Sequence, residues 1–306
     1  MSHDQLSKSL IASFFPDFLR LALPDSALRL RLGEVTFLDK ELFTDWPAGS
    51  RRELDLLARV PAEEGELSLL VHVEIEAEAR AGTDQRLWRY YMQLRLRHDL
   101  LVVPILVNLR GGRPGVELEV LEEGFEPLAT GVFRYRVLSL SGCQAEEWLS
   151  RPEPVAWAFA ALMRPGRWSR AELKLACLRR VGESEVAGGR KEILVNWVET
   201  YVELTPEDAA EFRQLLEQEE NREVQEMEMT WLGRAEAQGV EKGLAQGMEK
   251  GIGVLRGILL DQMDQRFGGV PAQVRQRVEA IDSMDTLARI SRRILTVSSI
   301  EDLHLS

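Results

Sequence analysis

Residues 67–78 read LSLLVHVEIEAE, and this alternation predicts a β-strand at the centre of an α/β fold. Apolar residues occupy one side of the strand, at Leu67, Leu69, Val71, Val73, Ile75 and Ala77. The other side carries polar residues, at His72, Glu74, Glu76 and Glu78. Because successive side chains of a strand point to opposite faces, the three carboxylates are predicted to share one face. The segment therefore directs several acidic groups toward one small volume.

A further acidic residue, Asp55, precedes Glu74 by 19 positions in the segment ELDLLARV. The intervening residues 58–66, ARVPAEEGE, contain the Pro, Gly and acidic residues that suit a turn between two strands. Asp55 and Glu74 are therefore predicted on adjacent strands. One or two carboxylates are sufficient to bind Mg²⁺, and the backbone carbonyl of Ile75 can supply another ligand. Glu76 can bind a second cation or position the attacking water as a base.

Each of these residues also has an ordinary structural interpretation. Exposed strand faces commonly carry Glu, so spacing alone favours a solvated face over a metal site. A single His such as His72 is more often a hydrogen-bonded structural residue than a ligand, and it is assigned a supporting role. Arg86 and Arg89 lie on the helix predicted after the strand, where they either bind phosphate or form its solvated side. Their position directly after the Glu-bearing strand favours phosphate binding.

The composition describes a folded chain that is acidic overall and basic near the candidate site. The 306 residues are 45% hydrophobic and carry a net charge of −12, yet residues 80–113 hold seven Arg against two Asp. Two cysteines without CxxC spacing exclude a disulfide framework and a structural zinc site, which favours a reducing cytoplasm. No apolar run approaches the ~20 residues of a membrane span. We therefore expect a soluble, cytoplasmic protein without a membrane partner.

The order of elements predicts an α/β core followed by an all-helical half. A helix is predicted over residues 4–23, then strands near 33–39, 52–60 and 66–78, a helix that begins at Thr83 or Asp84, and strands at 100–109 and 132–140. Beyond Gln144 the apolar spacing is helical. The predicted regions are 1–140 for the α/β domain, 141–230 for a helical region, 231–253 for a glycine-repeat helix or hinge, and 254–306 for a C-terminal helical module.

The glycine repeat has a period of four residues, at Gly239, Gly243, Gly247 and Gly251. On a helix these glycines form one flat stripe, and the apolar residues that follow each of them form a second. Such a surface permits the close approach of another helix and predicts self-association through the C-terminal helices. Each glycine in a helix costs up to ~1 kcal/mol relative to Ala, so a flexible hinge is an equal alternative.

Four segments resemble the Rpn, or YhgA-like, family of recombination-promoting nucleases and putative transposases, within the PD-(D/E)XK nuclease superfamily. They are LDLLARV with Asp55, LLVHVEIEAE with Glu74, RLWRYYMQL with Arg86 and Tyr90 leading into LVVPILVNL, and the late repeat GVEKGLAQGMEKGIG. The order of elements, α-β-β-β-α-β, is also similar to the superfamily core. The resemblance covers roughly residues 4–140, and the glycine repeat with the FGGVP-containing tail adds to it.

The resemblance implies a restriction-endonuclease-like mixed sheet and Mg²⁺-dependent DNA endonuclease activity, with Mn²⁺ as a substitute metal. It implies that Asp55 and Glu74 bind the metal and that Arg86, Arg89, Tyr90 and Gln93 contact phosphate or DNA. The superfamily's third position is usually Lys, and often Gln in the Rpn group, whereas this chain has Glu76. This departure implies either two metals, compensation by Arg86 and Arg89, or weakened activity.

Two other functions compete with a DNA endonuclease. One is a non-catalytic scaffold or binding protein that retains a degenerate nuclease fold, which Glu76 favours. The other is a metal-dependent phosphatase for small nucleotides, although an Arg-bearing helix suits a polymeric backbone better than a single phosphate.

Overall fold

The computed structural model describes residues 3–38, 42–45, 50–63, 65 and 67–303. Side chains are described for the same residues except 42–45, 50–53, 129, 232, 234–236, 238–246 and 301. The chain divides into two compact units, Met1–Glu228 and Met229–Ser306. The predicted regions 1–140 and 141–230 thus lie almost wholly within the first unit. Glu64 and Glu66, two acidic residues of the predicted turn before β5, lie outside the described residues.

A six-stranded mixed sheet forms the α/β part of the first unit. Its strands are β1 (Thr36–Phe37), β4 (Leu56–Pro61), β5 (Ser68–Glu76), β6 (Leu101–Asn108), β7 (Gly115–Phe125) and β8 (Leu128–Ser139), with β2 (Leu42–Asp45) and β3 (Ser50–Glu53) in a separate two-stranded sheet. The strand order is β1-β4-β5-β6-β8-β7. The pairs β5–β6 and β6–β8 are parallel and the others are antiparallel. The expected mixed α/β class is confirmed.

Both faces of β5 are buried over most of its length, which differs from the predicted solvated polar face. Leu70 and His72 are fully buried, like Val71 and Val73 on the opposite face, and Glu74 is 8% exposed. The face with Leu70 packs against α3 (Thr83–His98), whose Tyr90 and Leu94 belong to the same apolar cluster. A central strand covered on both sides loses its alternation of exposed and buried residues, so its polar residues need partners within the protein.

The other face of the sheet is covered by helices from the start of the chain. α1 (His3–Ser13) packs on β5, and α2 (Phe15–Ala22) packs on β8. The predicted single helix over residues 4–23 is therefore two helices. The break at Phe14 follows from Pro16, which lacks a backbone N–H and occupies the first turn of α2.

The second half of the chain is helical, as predicted. It contains α4 (Ala145–Leu149), α5 (Pro154–Ala160), α6 (Arg170–Gly182), α7 (Gly189–Tyr201), α8 (Pro206–Leu216), α9 (Arg222–Phe267), α10 (Ala272–Glu279) and α11 (Met284–Ile294). Sequence-encoded caps define several starts: Ser169 with Glu172 before α6 and Thr205 with Asp208 before α8 form capping boxes. The core here centres on Trp197, whose ring lies 4.4 Å from Tyr201 and 5.7 Å from Phe159 between centroids.

A buried ionic cluster lies between the helices of the first unit. The Lys174 ammonium on α6 is 2.8 Å from Glu199 Oε2 on α7 and 3.3 Å from Glu228 Oε1 on α9. Lys174 also lies over the Phe212 ring of α8, 4.4 Å from its centroid. Two carboxyl groups thus share one buried cation.

The second unit has its own apolar core at the end of α9 and on α10 and α11. Its buried residues are Leu259, Leu260, Met263, Val278, Leu287, Ile290, Ile294 and Leu303. Residues 231–253 are helical throughout, as part of α9. A Cβ atom placed on Gly251 would lie 2.6 Å from Met284 Cε. The absence of a side chain at Gly251 therefore allows the start of α11 to pack closely against α9. The apolar side chains at 240 and 244 lie outside the described residues.

Of the helices in the described ranges, none is long and apolar enough to cross a membrane. Cys143 and Cys177 are both free thiols, and both are buried.

Candidate carboxylate site

Asp55 and Glu74 lie beside each other at the end of the β4–β5 ladder. The last regular pair joins Leu56 to Val73, so the next step of the antiparallel register places Asp55 opposite Glu74. Asp55 itself occupies a bend just before β4, anchored by its buried neighbour Leu54. The two acidic residues identified from the sequence therefore lie opposite each other in the register, at one end of the β4–β5 ladder.

Both carboxylate oxygens of Asp55 have partners. The backbone N–H of Ile75 donates to Oδ2 at 2.8 Å, so the side chain continues the pairing of β5 where β4 ends. The Lys8 ammonium of α1 lies 2.8 Å from Oδ1. The same ammonium lies 2.9 Å from Asp4 Oδ2, one helical turn earlier on α1.

The pKa of Asp55 is raised above its usual value. Burial contributes most to this rise, and the negative charge of Glu74 contributes next. The hydrogen bonds from Lys8 and from the Ile75 amide act in the opposite direction. The negative charges of Asp55 and Glu74 thus repel each other, and a cation bound by both would relieve this repulsion.

Glu74 is oriented by a buried histidine. Its side chain is 10% exposed, and its Oε1 lies 2.9 Å from Nε2 of the fully buried His72. The His72 ring contacts the edge of Tyr90 at 5.9 Å between centroids, and its Nδ1 has no hydrogen-bond partner among the described residues. This geometry fits an Nε2–H that donates to Glu74 and holds its carboxylate in place.

Glu76 forms an ion pair with Arg86 of α3. The Arg86 guanidinium also lies 4.0 Å from Glu74 Oε2. Burial works to lower the pKa of Arg86, but the hydrogen bond and charge of Glu76 outweigh burial and raise it. The negative charge of Glu76 is therefore paired with Arg86.

The other predicted phosphate-binding residues of α3 have different environments. Arg89 is exposed and Gln93 is partly exposed, so both are available to a ligand. Tyr90 is only 2% exposed and belongs to the core beneath the helix. The structure gives Tyr90 a packing role, which differs from the predicted contact with DNA, because its position on the helix faces Leu70 and Leu94.

Lys8 is the site residue that the sequence did not indicate. It lies 47 positions before Asp55 on a helix whose neighbouring residues Leu6, Leu10 and Ile11 are buried. The only local signal is a lysine four residues after Asp4, which predicts a pair along the helix and nothing more. Its second partner depends on how α1 packs on the sheet.

The donor set suits a hard divalent cation. In the part of the chain that the structure describes, no group of three or more His, Cys, Asp or Glu side chains is arranged to hold a metal ion. Mg²⁺ in proteins often uses only one or two carboxylates, with water and substrate oxygens as its other ligands. The Lys8 ammonium at Asp55 Oδ1 is a positive group already held at the oxygen that a metal would use. Asp55 and Glu74 would therefore hold the ion, with the Ile75 carbonyl as the further predicted ligand.

Comparison of the chain with protein-family models, curated proteins and solved structures gives no match.

Proposed function

We propose that this chain is a Mg²⁺-dependent endodeoxyribonuclease with a restriction-endonuclease-like core. The observation that carries the proposal is the placement of Asp55 opposite Glu74 at one end of the β4–β5 ladder, with Lys8 of α1 beside Asp55 and Arg86 of α3 beside Glu74. Two carboxylates can bind the metal, and two cations can face a phosphate. A bound Mg²⁺ ion supplies an activated water and stabilises charge on phosphorus.

The residues of the chain have distinct roles in this proposal. Asp55 and Glu74 bind the ion, and His72 keeps the Glu74 carboxylate in position. Lys8 supplies the ammonium that the superfamily usually places at the position of Glu76. Because Glu76 is paired with Arg86, it contributes to the charge balance and is not free to act as a base while that pair is intact.

DNA is the proposed substrate because the exposed cations near the site are arginines on consecutive elements. Arg89 lies on α3, and Arg110 and Arg113 lie in the loop after β6, the strand beside β5. The backbone N–H of Ala79 donates to the carbonyl of Arg110 at 2.9 Å, which ties this loop to the segment that follows Glu76. Guanidinium groups spread over several elements match a polymer of phosphates better than a single phosphate.

Nicking of supercoiled plasmid DNA in Mg²⁺ or Mn²⁺ tests this function. Asp55→Asn and Glu74→Gln are expected to lower the rate by at least ~10²-fold, because each removes a charged metal ligand. Glu78→Gln is the matched control, since Glu78 is an exposed carboxylate near the same strand end. Cleavage that persists in both site variants, or that survives EDTA, would show the assignment to be wrong.

A non-catalytic scaffold is the second candidate, and one observation favours it. Each of the three carboxylates is paired within the protein, by Lys8, His72 and Arg86 respectively. Calorimetric titration with Mn²⁺ separates the two functions, because a scaffold with a permanently paired cluster should bind no metal at Asp55 and Glu74.

A further inference from the structure

Lys8 is placed between two carboxylates that differ in accessibility. Asp55 is 13% exposed and Asp4 is 62% exposed, while Lys8 itself is 20% exposed. The two N–O distances, 2.8 and 2.9 Å, are nearly equal. The ammonium therefore has one buried partner on the sheet and one solvated partner on its own helix.

The oxygen of Asp55 that contacts Lys8 is the one without a backbone hydrogen bond among those described, which makes it the better placed of the two to bind a metal ion. Oδ2 already accepts the hydrogen bond of the Ile75 amide, which belongs to the strand ladder. Oδ1 is held only by the flexible side chain of Lys8 among the contacts described. A divalent cation and the Lys8 ammonium thus compete for one oxygen.

The pair with Asp4 gives Lys8 an alternative position. Because Asp4 lies four residues before Lys8 on α1, the ammonium can leave Asp55 and remain paired through a change of its own rotamer. No movement of α1 is required. A long, partly exposed side chain changes its rotamer in picoseconds to nanoseconds. The displacement of Lys8 therefore adds only a small kinetic barrier to metal binding.

We propose that Lys8 is an intramolecular competitor for the metal: it occupies Asp55 in the metal-free protein and moves to Asp4 when a divalent cation binds. This inference rests on the proposed metal site. Lys8 keeps the buried Asp55 paired in the absence of metal, and it lowers the apparent affinity for the ion. Once displaced, its ammonium stays beside the site, where a phosphate group can meet it.

Titration of the metal-free, full-length protein with Mn²⁺ by calorimetry tests the proposal. Lys8→Gln is expected to tighten Mn²⁺ binding by about five-fold, which corresponds to the ~1 kcal/mol of a partly exposed ion pair. Asp4→Asn is expected to weaken binding by a few-fold, because Lys8 then has only Asp55 as a partner. A purely structural role of Lys8 predicts that both variants loosen the site and change the affinity in the same direction.

Two controls separate competition from general electrostatics. Glu78→Gln removes an exposed negative charge near the strand end and should change the Mn²⁺ affinity less than Asp4→Asn does. Lys250→Gln removes an exposed lysine of α9 and should leave the affinity unchanged. Lys8→Met is a second variant of similar length, and thermal melting in EDTA identifies any variant that does not fold.

The outcomes distinguish this inference from the proposed function. Mn²⁺ binding that depends on Glu74 but is the same with and without Lys8 overturns the competitor role and leaves the nuclease proposal intact. Binding that appears only in the Lys8 variants supports the competitor role. Absence of binding in every variant at millimolar Mn²⁺ overturns both.

Discussion

The buried cluster of Lys174, Glu199 and Glu228 predicts a stability that falls as the pH rises through neutrality. Burial, with the charge of Glu228 as a further contribution, raises the pKa of Glu199 from 4.5 to about 7, although Lys174 opposes the rise. One buried ammonium cannot balance two buried carboxylates, so the folded protein retains a proton near pH 6 that the unfolded chain has already lost. A group that binds its proton more tightly when folded stabilises the fold at low pH and loses that contribution as the pH increases.

The magnitude follows from the same values. The difference between 4.5 and about 7 corresponds to about 3 kcal/mol of unfolding free energy, lost between roughly pH 4.5 and pH 8. Glu199→Gln removes this titration, because a carboxamide stays neutral, and its N–H₂ group can donate to Glu228. The variant is therefore expected to match the natural protein near pH 5 and to be about 2–3 kcal/mol more stable at pH 8.

Urea unfolding from pH 5 to pH 8.5, followed by tryptophan fluorescence, measures this difference. Six of the seven tryptophans precede residue 229, so the signal reports mainly on the first unit. Glu203→Gln is the control, since Glu203 is exposed and should show no pH-dependent difference from the natural protein. A difference between Glu199→Gln and the natural protein that stays constant with pH would refute the shared proton.

Four further predictions concern the core and the loops. Gly112→Ala should cost about 1–3 kcal/mol of stability by chemical denaturation, because the residue has a φ of 77° and a Cβ there would lie 2.4 Å from Ser139 Oγ. Gly189→Ala, with open space around its Cβ position, should be neutral or stabilise by up to ~1 kcal/mol. Cys177 is fully buried, and burial raises its pKa to about 12. The rate at which a thiol reagent labels it should therefore be set by the rate at which the protein unfolds locally. Rapid labelling of the native protein would contradict its burial. Leu94→Ala should cost about 2–5 kcal/mol, visible as a lower urea midpoint, since the side chain is fully buried in the α3 cluster.

The elements that the sequence predicts well are those with strong local periodicity. Apolar residues recur with a strand or helix period in β5, α3, β6 and the helical half. Each of these elements lies near its predicted bounds. The C-terminal helical module predicted over residues 254–306 contains an apolar core of its own, with Leu259, Met263 and Val278 in one cluster. β7 was not predicted, because its glutamates have low strand propensity and its pairing with β8 decides its conformation.

The contacts of the candidate site could be predicted only in part. The Glu74 and Glu76 spacing indicated that these carboxylates share a face, and the turn composition placed Asp55 on the adjacent strand. The burial of Glu74 and His72 could not be predicted, because it depends on the docking of α3. The approach of Lys8 to Asp55 depends on the packing of α1, which no local pattern specifies. Loss of the Glu74 carboxylate is also expected to affect the metal-free protein, since Glu74→Ala would leave the buried His72 without its acceptor.

The outer edge of the sheet limits how copies of this chain can associate. β7 is the last strand in the order, pairs with β8 on one side, and has no strand partner on the other among the described residues. It carries four acidic residues in eleven, Glu117, Glu119, Glu122 and Glu123. Two such edges brought together would align carboxylate against carboxylate, and this repulsion protects the free edge from extension by a second molecule. The self-association predicted from the sequence would therefore have to use a surface other than this edge.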